Sequence, residues 1–172
     1  MRLHRAVLWL VLGGGVLSAA AGTLAADGPA KPDPQAVERT REQVRMLDAL
    51  YKSAVVSITK NYVNQQADVP AATVAKDVFQ AMKAGRFHHA RLIDVTGKPK
   101  NPDNVATTAF EKAAVEAIRS GKEYVEELAE VDGRPVLRAA TPVPAVMPQC
   151  IVCHGKREKN LLGALIYEVP VK

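Results

Sequence analysis

The stretch Met147-Pro148-Gln149-Cys150-Ile151-Val152-Cys153-His154-Gly155 holds both cysteines of the 172-residue chain and one of its four histidines. Thiols at this spacing can add to the two vinyl groups on neighbouring pyrroles of a haem. The histidine that follows directly can then reach the iron from one face. Three other chemistries use similar residues. A thioredoxin-like dithiol wants its first cysteine at a helix N-terminus within a strand–helix unit, whereas Cys150 follows proline-rich chain that reads as extended. A structural disulfide suits an oxidising compartment but gives His154 no role. A zinc site needs a fourth ligand, such as His88 or His89, and usually draws on a second ligand pair. Covalent attachment of one haem c, with His154 as the proximal iron ligand, is the favoured reading, since it employs all three residues without a further ligand.

Attachment of this kind takes place outside the bacterial cytoplasm, and the N-terminus reads as an export signal. Arg2 and Arg5 supply a positive start, and Ala6 to Val16 is apolar apart from Gly13, Gly14 and Gly15. Small residues follow, with Thr23-Leu24-Ala25 and Ala19-Ala20-Ala21 as cleavage signatures. The apolar core is shorter than the roughly 20 residues of a membrane span, so cleavage is expected rather than retention as an anchor. Residues 1–26 are then a signal peptide and the mature protein is periplasmic or secreted. Residues 27–35, rich in proline with one glycine, read as a flexible spacer, and residues 36–172 as a single domain.

With Arg2 and Arg5 removed, 23 basic residues become 21 against 18 acidic ones, so the net charge falls from +5 to +3. The two signs are interspersed, with no basic run and no aromatic interleaving, which argues against nucleic acid as a partner.

The elements that would position the motif follow from periodicity. From Pro34 to about Gln66 the pattern is helical, with Val44, Leu47, Tyr51, Ala54, Val55, Ile58 and Tyr62 on one stripe. A helix of this length exceeds what a small core requires, so part of it is expected either to project or to mediate homodimer contacts. A second helix is expected from Pro70, presenting Val74, Val78, Phe79 and Met82 and stopping at Gly85. Phe87 to Val95 reads as a strand closed by the turn Thr96-Gly97-Lys98-Pro99, and Asn101 to Asn104 as a loop. A third helix is expected from Val105 to Arg119. Glu123 to Val131 and Arg134 to Val143 form a hairpin around Asp132-Gly133, a pair suited to a type I′ turn. The Cys-x-x-Cys-His motif then falls in a loop bounded by Pro142, Pro144 and Pro148, and Leu161 to Val171 is a last strand. Helices first, then strands with one helix between them, predict an α+β domain with an antiparallel sheet.

The second axial position on a haem has several candidates. His4 leaves with the signal peptide. On a strand, His88, Ala90 and Leu92 share one face while Phe87, His89, Arg91 and Ile93 share the other. The small and apolar companions of His88 favour it as the second iron ligand. Met46, Met82 and Met147 are alternatives, as is an open or water-filled site. Haem propionates buried without partners are costly. Arg91 and Arg138, both on strands, are candidate neighbours, and so are Lys98 and Lys100.

The order of these features resembles a PAS-like, single-haem c-type family. The matching stretches are Arg91, Asn101-Pro102-Asp103-Asn104, Asp132-Gly133, Arg138 to Pro142 and Cys150 to Gly155. The resemblance implies an antiparallel PAS-like sheet flanked by helices. It also implies a role as a periplasmic haem-based sensor of redox state or small gases, working with a redox or signalling partner. In a characterised type of that family a cysteine from the N-terminal helix occupies the distal iron position. The corresponding stretch here, Ala54-Val55-Val56-Ser57-Ile58, has none, which leaves His88 as the expected ligand. A soluble electron carrier is the alternative function. Catalysis is not expected, since no acid–base constellation accompanies the motif.

Overall fold

Asp33 and Pro34 start the first helix. The Asp33 carboxylate accepts the backbone N–H groups of Gln35 at 3.1 Å and Ala36 at 3.2 Å. Pro34 occupies the first helical position, where no N–H is needed. In the computed structural model, which describes residues 31–64, 68–155 and 161–172, this helix, α1, spans Pro34–Tyr62. It therefore begins inside the expected spacer. The expected signal peptide, the start of the spacer and the helical residues foreseen at 65 and 66 lie outside the described residues. Among the described residues no helix is long and apolar enough to cross a membrane.

Ala36, Val37, Thr40, Val44, Leu47 and Tyr51 form the buried face of α1 at helical spacing. The expected stripe holds as far as Tyr51. Beyond it Ala54 is exposed and Tyr62 is 75% exposed. The second helix, α2, spans Ala71–Ala84, with Pro70 as its N-cap rather than its first residue. It buries Ala71, Ala75 and Phe79, whereas Val74 and Val78, expected inside, are exposed. The alanine face permits close approach, and Phe79 meets Tyr51 edge-on with ring centroids 4.9 Å apart.

Four strands follow: β1, His89–Asp94; β2, Val125–Val131; β3, Arg134–Pro144; and β4, Leu161–Pro170. They pair antiparallel in the order β1-β4-β3-β2. Asp132 at φ 51° and Gly133 at φ 72° make the β2–β3 turn as expected, both residues having the positive φ of a type I′ turn. β2 stops at the Val125–Ala140 pair, so one edge of β3 is unpaired beyond it and accommodates Pro142 and Pro144. Both prolines thus belong to the strand rather than to the loop foreseen for them.

The third helix, α3, spans Ala109–Arg119 and starts later than expected. Thr108 and Glu111 form a capping box: Thr108 Oγ1 accepts the Glu111 N–H and Glu111 accepts the Thr108 N–H, each at 3.1 Å. The Asn101 loop contains a 3-10 turn at Pro102–Asn104.

Strand alternation then divides the core. Ala90, Leu137, Ala139, Leu165, Tyr167 and Val169 pack with α1 and α2. Ile93, Ala140, Ala164 and Ile166 pack with Phe110, Ala114, Val115 and Ile118, which α3 contributes. Residues Lys31–Lys172 form one compact α+β unit with helices on both faces of an antiparallel sheet, the class expected. At ~1.5 Å per residue, α1 is about 43 Å long. The ten-residue β4 reaches only about 33 Å, so the end of α1 outruns the sheet and its late stripe residues find less to pack against.

One end of the sheet carries the motif. There β1 and β3 finish and β4 begins, with Asp94 and Val143 both opposite Gly163. Gly163 is required by close approach, since a Cβ on it would lie 2.6 Å from the Ile93 carbonyl oxygen.

Candidate functional site

Three residues beyond β3 the chain turns into a short helix, α4, Pro148–His154, where the sequence pattern suggested a loop. Pro148 sits at its first position and Gly155, at φ 69°, ends it by donating its N–H to the Ile151 carbonyl at 2.7 Å. Residues three and four apart share one face of a helix. Cys150, Cys153 and His154 therefore line up on one side of α4. Both cysteines are free thiols and, like His154, half-buried. Val152, 59% exposed, points to the opposite side. On that side Ala145, Val146, Met147, Pro148, Ile151 and Val152 border an apolar groove of about 470 Å³. The donor set fits a covalently attached haem: two thiols and an imidazole presented together, with neither thiol consumed by a disulfide.

The loop after β1 reaches α4. Lys100 donates from Nζ to the Cys153 carbonyl oxygen at the last turn of the helix. That loop is organised by Arg91. Its guanidinium bonds the carbonyl oxygens of Asp103 at 3.0 Å and Val105 at 2.9 Å, Thr107 Oγ1 at 3.3 Å, and Glu111 Oε1 at 3.0 Å. The Glu111 side chain is only 5% exposed. Burial works to raise its pKa, but the N–H groups of Thr107 and Thr108, the Thr107 hydroxyl and Arg91 outweigh it and hold the carboxyl below its ordinary range.

Arg138 is likewise engaged within the chain, with Glu168 at 3.0 Å and Glu127 at 3.1 Å. The register sets His89, Glu168, Arg138 and Glu127 directly opposite one another across all four strands. The two arginines considered for propionates thus both sit in ion pairs with carboxylates of their own chain. The guanidinium of Arg91 lies in the loop that contacts α4, whereas Arg138 belongs to the charged row at the other end of β1.

His88 is 6% exposed and lies just before β1, on the α1 side of the sheet. Its Nε2 is 2.7 Å from the Tyr51 hydroxyl. Burial, and secondarily the neighbouring His89, push its pKa down, so the ring is neutral at neutral pH. His88 precedes Asp94 by six residues, or roughly 20 Å along a strand, and α4 adjoins the Asp94 end. The structure therefore does not bring His88 together with Cys150, Cys153 and His154. Met46 is 60% exposed on α1. Among the described residues no three His, Cys, Asp or Glu side chains cluster as metal ligands.

Comparison with known families places this arrangement. The Tll0287-like family model matches residues 31–164, most of the described chain. The chain belongs to the Tll0287-like family. Among solved structures it is similar to the cyanobacterial heme-protein Tll0287, with a TM-score of 0.54 and 13% identity over 80% of this chain and 96% of that one. At that identity the likeness is one of fold. No curated protein matches the sequence.

Within this family member, the structural roles of three side chains were not read from the sequence. Tyr51 was legible only as one apolar-stripe residue. Glu111 carries a readable signal, the Thr-x-x-Glu of a capping box. Lys100, considered only for propionates, instead meets a backbone carbonyl of α4, a contact between residues 53 apart that no local pattern encodes.

Proposed function

We propose that this Tll0287-like protein is an exported haem protein that senses redox state or a small gas through a single haem c. Cys150 and Cys153 would hold the haem by thioethers and His154 would be its axial ligand. The observation that carries this reading is the presentation of both thiols and the imidazole on one face of α4. The solved heme-protein of the same fold supports it. When bound, the haem would supply a one-electron iron couple and an axial position for a diatomic ligand.

The chain's own residues favour sensing over carriage. His88, the side chain expected opposite His154, is held by Tyr51 at the far end of β1, and Ala54 to Ile58 contains no thiol. The position opposite His154 is then left to an exogenous or weak ligand. The protein acts as a binding module rather than an enzyme, in the periplasm or outside the cell, and passes its state to a redox or signalling protein. Electron carriage is the second reading, favoured by the exposed apolar side chains of Val146, Ile151 and Val152 beside α4, which suit a transient partner.

Optical spectra of the reduced holoprotein with and without CO separate the two. Rapid conversion to a CO-bound spectrum is expected. A six-coordinate ferrous spectrum that ignores CO would establish the carrier instead.

A further inference from the structure

A seven-residue helix cannot hold its own shape in water, because isolated helices shorter than about 12 to 15 residues are marginal. α4 also buries none of its residues. Its orientation, and with it the direction of both thiols and His154, has to be imposed from outside. We propose that Lys100 is the positioning residue of α4, and that Arg91 sets where Lys100 stands.

Helix ends leave their last carbonyls without intrahelical partners and carry partial negative charge. In α4 the Gly155 N–H takes the Ile151 carbonyl, and the Lys100 ammonium takes that of Cys153. The Cys153 carbonyl belongs to the peptide linking Cys153 to His154. Fixing that oxygen fixes the peptide plane between the second thiol and the imidazole.

Lys100 is itself exposed and long, so the contact depends on where its backbone is held. Asn101, the next residue, caps the 3-10 turn by accepting the Asp103 N–H at 2.9 Å. The Asn101 carbonyl accepts the Asn104 N–H at 3.0 Å. Arg91 clamps the same turn through the Asp103 and Val105 carbonyls. Glu111, rooted in the first turn of α3, anchors Arg91 in turn. The Glu111–Arg91 pair thereby reaches the attachment turn through one loop and one ammonium group. Arg91 works here through backbone carbonyls, so its planar fork matters and its charge alone does not suffice.

The inference rests on reading Cys150 to His154 as an attachment turn, and its test is chosen to fail separately from that reading. The alkylation rate of each thiolate, Cys150 and Cys153, is measured on haem-free protein from a pH series that corrects for thiolate fraction, for wild type, K100M, K100R, R91K and the K100M/R91K double variant. K100M removes an exposed charge and leaves the core intact, while R91K keeps a cation for Glu111 and loses the paired carbonyl contacts. Cys153 should react roughly two- to fivefold faster in K100M, the range expected for losing a cation from a helix C-terminus. K100R should retain the wild-type rate. R91K should resemble K100M, and the double variant should exceed neither single change. An unchanged Cys153 rate in K100M, or additive effects in the double variant, would overturn the proposal. Intact-mass measurement of exported wild-type protein judges the haem reading independently: bare chain would end that reading and leave the alkylation result standing.

Discussion

The Tyr51 hydroxyl on α1 meets Nε2 of His88 at 2.7 Å inside the core, joining the longest helix to the start of the first strand. Tyr51 also packs edge-on against Phe79 and stacks at 6.5 Å with Tyr167, whose hydroxyl reaches Asp48 Oδ1 at 2.9 Å. Asp48 accepts from Thr141 and Lys52 as well. α1 is thus fixed to the sheet side by the buried Tyr51–His88 contact and the part-buried bonds of Asp48 to Thr141 and Tyr167, beside its apolar stripe. Removing one partner from a buried hydrogen bond costs more than the bond's net worth, about 1–3 kcal/mol for the group left unsatisfied. Tyr51→Phe should destabilise the protein by that amount, read from urea denaturation. Its haem content should stay at the wild-type level, since His88 is apart from α4. Loss of haem in a stable Tyr51→Phe protein would contradict that separation.

The same pair predicts how stability depends on pH. Burial pushes the His88 pKa down, so the unfolded chain binds the proton more readily than the folded one. Stability is therefore full above the ordinary histidine value of about 6.5. It falls as acid takes the pH below that value. The depressed carboxyl of Glu111 acts lower, contributing stability above the ordinary carboxylate range and losing it as that group protonates. Denaturation midpoints between pH 8 and 2 should fall in two stages; burial depresses His89 as well, so replacing both His88 and His89 by Gln should remove the upper one, and His88→Gln alone should shrink it. A profile flat from pH 7 to 5 would be incompatible with a buried neutral His88.

Glu111→Ala should be among the most damaging single changes. It leaves the Arg91 guanidinium without its buried partner and dismantles the cap of α3. Glu111 is buried but the Arg91 side chain is 25% exposed, so the lost charged hydrogen bonds and cap together cost about 2–3 kcal/mol. A loss below about 1 kcal/mol, the level of a surface pair, would show that Arg91 does not need Glu111.

Gly163→Ala tests the sheet end that carries the motif. The added methyl meets the Ile93 carbonyl oxygen, a backbone atom that no rotamer change can move aside. Overpacking of this kind costs about 1–3 kcal/mol. Amide exchange should quicken in β1 and β4 together, and unchanged protection in β1 would rule out that contact as their limit.

Much of this architecture is written locally in the chain. Asp132-Gly133 specifies its turn through backbone preferences of two residues, and the structure has both at positive φ. The Cys-x-x-Cys-His stretch was legible as a motif but not as a helix, although Pro148 and Gly155 mark its ends. The phase of α2 was missed because Val74 and Val78 outrank alanine in hydrophobicity. Close packing favoured the small face of Ala71 and Ala75 instead. Arg91 was singled out as a strand residue beside the haem propionates, whereas the structure has it bonded within its own chain. Its partners lie 12 to 20 residues away, and only the folded loop brings them within reach. For His88, face alternation placed it inward, but the side chain it meets there belongs to a helix 37 residues earlier.

The central claim is that Cys150 and Cys153 carry a haem covalently. Intact-mass spectrometry of the protein exported from cells that mature c-type haem proteins tests it directly. The account predicts the mass of the chain plus one haem, lost on replacing both cysteines by alanine. A bare chain mass, with both thiols free to alkylate, would contradict it.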